Sequence, residues 1–254
     1  MASKGLNYDL SEDGTYYIVD SLGGCTDTNV VLPSMYEGLP VKGIDDRTFH
    51  MDENLTSIII PNSVTSIGEY AFALCSSLTS VVIGDNVTSI GSYAFEQSRN
   101  LTSVNIPNGV TRINDGTFCE CDSLTSIIIP DSVTSIGRNA FCGCDSLTSI
   151  IIPDSVKFLE FNAFYGCENL TNVTLGNSVI SIGEKAFSES NMTSIAIPNS
   201  VINISKRAFY ACRGLASITF NGTIEQWNAI EKGAEWSVGI PATEVVCIDG
   251  TVRL

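Results

Sequence analysis

Positive charge is what this sequence has least of. Thirteen Lys and Arg face 28 Asp and Glu, there is a single histidine, and only 16% of residues are charged, giving a net charge of −15. An excess of acid repels phosphate, so nucleic acid and anionic membrane surfaces are excluded as partners for most of this surface. No run of about 18 apolar residues exists, which rules out a membrane-inserted helix. The start, Met1 to Gly5, carries neither a basic n-region nor an apolar h-region, so no targeting signal is visible. At 44% hydrophobic, the chain is too apolar for disorder. The chemical motifs are missing as well: no G-x-S-x-G, Walker loop, H-E-x-x-H, EF-hand loop or G-x-G-x-x-G appears. His50 has Asp52 beside it but no second histidine or nearby cysteine to complete a nucleophile and base, so a surface or half-buried role is expected and no enzyme activity.

What the chain does have is a repeat. Leu55, Leu78, Leu101, Leu124, Leu147 and Leu170 each open a Leu-Thr-(Ser/Asn)-(Ile/Val)-x-(Ile/Leu) segment at intervals of 23; Met192 follows after 22 and Leu215 after 23 more. Pro or Gly stands at unit position 7, followed by Val, then Ile or Leu, then an Ala-Phe or Thr-Phe pair. Apolar residues at positions 1, 4 and 6, with Thr, Ser or variable residues between them, give the alternation of a half-buried strand. Proline cannot donate to a ladder, so the strand ends there. Val64 to Gly68 and its equivalents alternate again and predict a second short strand, and Glu69 to Phe72 a single helical or 3₁₀ turn. A 23-residue unit cannot bury its own apolar face, so about eight must stack. The expected fold is an α/β repeat solenoid of leucine-rich-repeat type, with a parallel sheet on one face and short strands and helical turns on the other. It forms one domain over 1–254: a cap with a divergent first unit (1–54), regular repeats (55–220) and a closing cap (221–254).

The pattern L-x-x-I-x-I-P-x-S-V-x-x-I-G-x-x-A-F-x-x-C, running from about Val30 to Phe220, resembles the BspA-like, or Treponema pallidum-type, bacterial leucine-rich repeats. It departs from the commoner leucine-rich pattern in placing the thiol after the Ala-Phe pair. The resemblance implies a secreted or surface-displayed protein, with its signal peptide absent from this chain, and adhesion or host-protein binding. The functional expectation is a non-enzymatic module binding a protein or glycan; the alternative is a rigid spacer of a larger surface protein with no ligand of its own.

Five of the nine cysteines, Cys75, Cys121, Cys144, Cys167 and Cys212, share position 21, with Ser98 standing in. That recurrence describes small buried residues. Cys119 and Cys142 share position 19, which leaves a disulfide or a four-sulfur zinc site with Cys121 and Cys144 as alternatives, but the spacing is not the usual one and neither cofactor nor metal is expected. Asp131 and Asp154 recur at position 8 with Asn62, Asn108, Asn177 and Asn199 as turn formers. The candidate ligand-binding residues are Ile59, Val82, Asn105, Ile128, Ile151 and Thr174, which occupy the outward position 5 of the first strand. Phe158, Phe161 and Tyr165 form a second set, bulky residues where other units carry small or polar ones.

Overall fold

The computed structural model describes residues 2–254 as a parallel β-solenoid of about ten turns, each close to 23 residues. Each layer has three sides. On the first, Asn29–Val31, Ser57–Ile59, Ser80–Val82 and Ser103–Val104 pair in parallel and in register, Ser57 opposite Ser80 and Ile58 opposite Val81. The expected adjacency of the Leu55 and Leu78 segments is therefore present. On the second side, two-residue strands such as Ser66–Ile67 and Ser89–Ile90 form their own parallel ladder. Alternation places Ile58 and Ile60 in the core and Ile59 outside, as a period of two requires.

The third side corrects the sequence reading. Neither the α/β label nor the helical or 3₁₀ turn after the second strand holds: the Ala-Phe segments are successive turns, and the one α-helix among the described residues is Ile224–Ala229 in the C-terminal cap. The reason lies in the backbone. Positions 16 and 20 of each unit adopt left-handed φ, for instance Tyr70 at 54° and Leu74 at 60°, then Tyr93 at 58° and Gln97 at 54°. A left-handed residue every few positions prevents a right-handed helix from propagating. The N–H groups instead point along the solenoid: Tyr70, Phe72 and Leu74 donate to the carbonyls of Ser92, Ala94 and Glu96 at 3.1, 2.7 and 2.7 Å. The third side is thus a hydrogen-bonded ladder of turns.

Inside, the repeat phenylalanines stack in one column from Phe49 through Phe72, Phe95, Phe118, Phe141, Phe164 and Phe187 to Phe209, with centroids 5.1 to 5.7 Å apart. The position-21 thiols line the core beside them; Ser98 shares that place, and so does Ser190, whose hydroxyl lies 3.4 Å from the Cys212 sulfur. The ends of the column are covered. Antiparallel strands Asn7–Leu10 and Tyr17–Ser21 close one end. At the other, the short helix begins with a capping box, Thr223 bonding the Gln226 N–H and Gln226 reaching back, which satisfies two of its free donors. It buries Trp227 against Phe220.

Candidate functional site

The position-5 side chains reach solvent as the alternation demands. Ile59, Val82, Asn105, Ile128, Ile151 and Thr174 are all exposed, and two stand out: Ile128 is 85% exposed and Ile151 69%. Exposure this large on adjacent β-branched residues is an apolar patch without a cover. Together with Ile127, Ile129, Ile152 and Pro153 they line a cleft of about 550 Å³ over the Leu124, Leu147 and Leu170 layers. Asp131 and Asp154 stand at the same cleft, so its apolar floor meets negative charge. The Asn177 N–H donates to Asp154 at 2.6 Å, leaving that carboxylate fixed by its neighbouring layer.

The second set does not join the first. Phe158 lies in the strand Phe158–Leu159, which pairs with Ser135–Ile136 and Ser181–Ile182 on the second side. Phe161 follows it, also exposed. Tyr165 sits on the turn side, half-buried, where its hydroxyl donates to Glu189 at 3.2 Å and the Lys185 ammonium lies 5.8 Å from its ring. Burial and the Glu189 carboxylate raise the Tyr165 pKa. His50 is half-buried, with both ring nitrogens lacking a protein partner, and burial followed by the Arg47 charge lowers its pKa. All nine cysteines are free, with Cys119 and Cys142 half-buried.

Sequence periodicity conceals one feature of this region. The first-side ladder is interrupted at the Leu124 layer. Among the described residues, Thr125 to Ile129 make no backbone–backbone hydrogen bond, and pairing resumes only with Ser149–Ile151 against Asn172–Thr174. The cause begins one layer earlier. In regular layers the position-6 N–H donates to the next position-5 carbonyl, as Ile60 does to Val82 and Ile152 to Thr174, both at 2.9 Å. At Ile83 the Asn105 side chain takes over: Oδ1 accepts from the Ile83 N–H and Nδ2 donates to the Ile83 carbonyl, both at 2.7 Å. A side-chain amide has replaced a peptide group, and the Asn105 backbone no longer carries the ladder forward. The second side shows the same substitution in the same unit, where Asn114 Nδ2 donates to the Ile90 carbonyl at 2.6 Å. The pairing of Ser89–Ile90 stops there, and a new ladder starts at Arg112–Ile113. A further first-side break, between Asn172–Thr174 and Ser194–Ile197, coincides with the unit that is one residue short.

A three-sided stack of 23-residue layers around a leucine and phenylalanine core defines a leucine-rich-repeat solenoid. The chain belongs to the BspA-type family of such repeats: a family profile described as BspA type leucine rich repeat region, in six copies, matches residues 42–160 and 134–232. It is similar to the crystal structure of the Treponema pallidum leucine-rich-repeat protein, at 30% identity and TM-score 0.68, covering 74% of this chain and 88% of that one. It is also similar to a leucine-rich-repeat protein from Bacteroides ovatus, at 26% identity and TM-score 0.69, covering 98% of this chain and 76% of that one. No curated protein sequence matches the chain. Folds of this family are generally protein-interaction scaffolds and typically non-enzymatic.

Proposed function

We propose that this chain is a non-enzymatic binding module that takes a protein partner on its first-side face, centred on Ile128 and Ile151. The exposed isoleucine cleft carries this reading, since apolar area left open to water favours a partner that covers it. Ile59, Val82 and Thr174 extend the same face, with Asn105 between them. Ser126, Ser149 and Thr174 border an aliphatic floor that carries no aromatic ring on which a sugar could stack, so a protein is favoured over a glycan. Adhesion at an extracellular or cell surface is the setting that the family resemblance suggests. A second reading, a rigid spacer, is supported by the unbroken phenylalanine column and the continuous turn-side ladder.

The separating experiment is capture of host extracellular proteins on the immobilised chain, run beside Ile128→Asp and Ile151→Asp. A binding module recovers a partner that both variants lose. A spacer recovers nothing, or the same background with all three.

A further inference from the structure

The turn side carries two thiols that core packing does not account for. The position-21 thiols are buried, and each donates to a phenylalanine carbonyl. Cys119 and Cys142, at position 19, are half-buried and meet each other instead. The fold sets them face to face. The Cys119 N–H bonds the Gly116 carbonyl at 3.0 Å and the Cys142 N–H the Asn139 carbonyl at 3.1 Å, so the two residues hold the same place in successive turns. Around them the layers are tied, Phe118 to Ala140 at 2.8 Å and Glu120 to Cys142 at 2.7 Å, and the adjoining rings of Phe118 and Phe141 lie 5.3 Å apart. The Cα atoms of Cys119 and Cys142 are thus roughly 5 Å apart, the spacing of adjacent strands, which a disulfide spans.

We propose that Cys119 and Cys142 are a thiol–disulfide exchange site that closes a reversible covalent link between the Leu101 and Leu124 units, with a low-molecular-weight disulfide as the oxidant. The Cys119 S–H donates to the Cys142 sulfur; that bond lowers the Cys142 pKa and raises that of Cys119, while burial disfavours ionisation of both. Cys142 is therefore the attacking group. Having lost its proton, it bonds to one sulfur of the oxidant and expels the other as a thiolate, which takes up a proton. Cys119 then loses its own proton and attacks the Cys142 sulfur, expelling the second thiolate, which is protonated in turn. Two protein thiols are oxidised to one disulfide, and one external disulfide is reduced to two thiols. Glu96, Glu120 and Asp145 bring negative charge to the pair, which favours a cationic oxidant.

Reversibility follows from the layer spacing. A disulfide draws its Cβ atoms to about 3.8 Å, closer than stacked layers sit, and a bond closed under strain is readily reduced. The link crosses the junction at which the first-side ladder is broken. It does so on the turn side, clear of the isoleucine cleft, and is independent of the binding face.

The test incubates the reduced, unaltered chain with cystamine, a cationic disulfide, quenches with acid and reads intact mass and non-reducing peptide maps over time. A loss of about 2 Da is expected, with Cys119 joined to Cys142, and dithiothreitol should restore the parent mass. Closure should run at least about tenfold faster than cysteamine uptake at half-buried Cys25, which has no thiol partner to lower its pKa. Cys121, Cys144 and Cys167 recur at the same layer spacing and should stay reduced, because buried thiols are inert. Cys119→Ser should stop at a cysteamine adduct on Cys142. Adducts on both Cys119 and Cys142 without a link, a Cys121–Cys144 link formed as readily, or closure no faster than uptake at Cys25 overturns the proposal. These readouts come from the unaltered chain, so they stand even if the serine variant folds poorly.

Discussion

The thiol of Cys144 donates to the main-chain carbonyl of Phe118, one layer back, at 3.1 Å. Cys75 to Phe49, Cys121 to Phe95, Cys167 to Phe141 and Cys212 to Phe187 repeat the contact at 3.0 to 3.2 Å, and the Ser98 hydroxyl makes it to Phe72 at 2.7 Å. Each thiol-bonded carbonyl also accepts a main-chain N–H from its own turn, as Phe118 does from Cys121 at 3.2 Å, so recurrence at position 21 follows from a second lone pair that a small donor fills. Cys144→Ser should keep the bond and stay within about 1 kcal/mol of the parent, since a neutral hydrogen bond is worth about that much net. Cys144→Ala removes one of two bonds to the Phe118 carbonyl, which keeps the Cys121 N–H at 3.2 Å, and should cost about 0.5–1.5 kcal/mol. Urea unfolding at constant slope distinguishes them, and equal midpoints for serine and alanine would remove the carbonyl from the explanation.

Burial pushes these thiols upward, Cys75 to about 12 and Cys212 to about 11, with Cys121, Cys144 and Cys167 also raised chiefly by burial. An unfolded thiol titrates near pH ~8.5. A folded pKa above the unfolded one means that the contribution is complete below the unfolded value and lost as pH rises toward the folded one. Stability should therefore fall from about pH 9 upward, by at most about 1.4 kcal/mol per pH unit for each thiol involved. Thermal melts across that range test this: Cys212→Ser should flatten the decline, and an unchanged decline would assign it to other groups.

Left-handed positions carry a removable cost. Gln97 sits at φ 54° where the corresponding residues two and three layers on are Gly143 and Gly166, at 68° and 69°. A non-glycine residue there is strained by roughly 1 kcal/mol or more, so Gln97→Gly should stabilise by about 0.5–1 kcal/mol after its own chain-entropy cost. Gln97→Val, β-branched at the same φ, should destabilise. If the two melt alike, backbone strain at this position is not a factor.

Adjacent isoleucines in the Leu124 layer should fail in different ways. Ile129 is buried, and Ile129→Ala should cost about 2–5 kcal/mol through the cavity left behind. Ile128 points outward, so Ile128→Asp should cost only a few tenths of a kcal/mol through strand propensity while removing partner binding. Paired melting and binding curves decide it. Unfolding by Ile128→Asp as severe as that by Ile129→Ala would reverse the assigned faces.

The inward and outward faces were legible because alternation at Ile58, Ile59 and Ile60 has a period that only a strand uses. The layer spacing was equally plain from Leu55 onward. The turn side was misread for a definite reason: Ala71-Phe72 after a glycine looks like the start of a helical turn, and the signal against it, Gly116, Gly143 and Gly166 with Asn139 and Asn162 at positions 16 and 20, is spread over several units. The open layer was invisible from its own residues, since Leu124 to Ile129 matches the consensus. Its cause lies in Asn105 and Asn114, whose amides resemble peptide groups closely enough to take their bonds. By periodicity Asn105 is a surface contact residue and Asp131 a turn former. Periodicity shows where such side chains sit and says nothing about what they displace.

The two asparagines also distribute mechanical load unevenly. Through the Leu78 to Leu147 layers the turn-side bonds continue without a gap, from Tyr93 to Asp115, Gly116 to Arg138 and Asn139 to Phe161 at 2.7 to 2.9 Å. Both strand ladders are severed within that stretch. The solenoid is thus stiff along one edge and slack along the other two at mid-length, like a spine with its ligament on one side. Bending should concentrate there, opening the strand faces while the turn edge holds. Pulled from its ends, the protein should yield first at this joint, dividing into two blocks that each keep a share of the phenylalanine column.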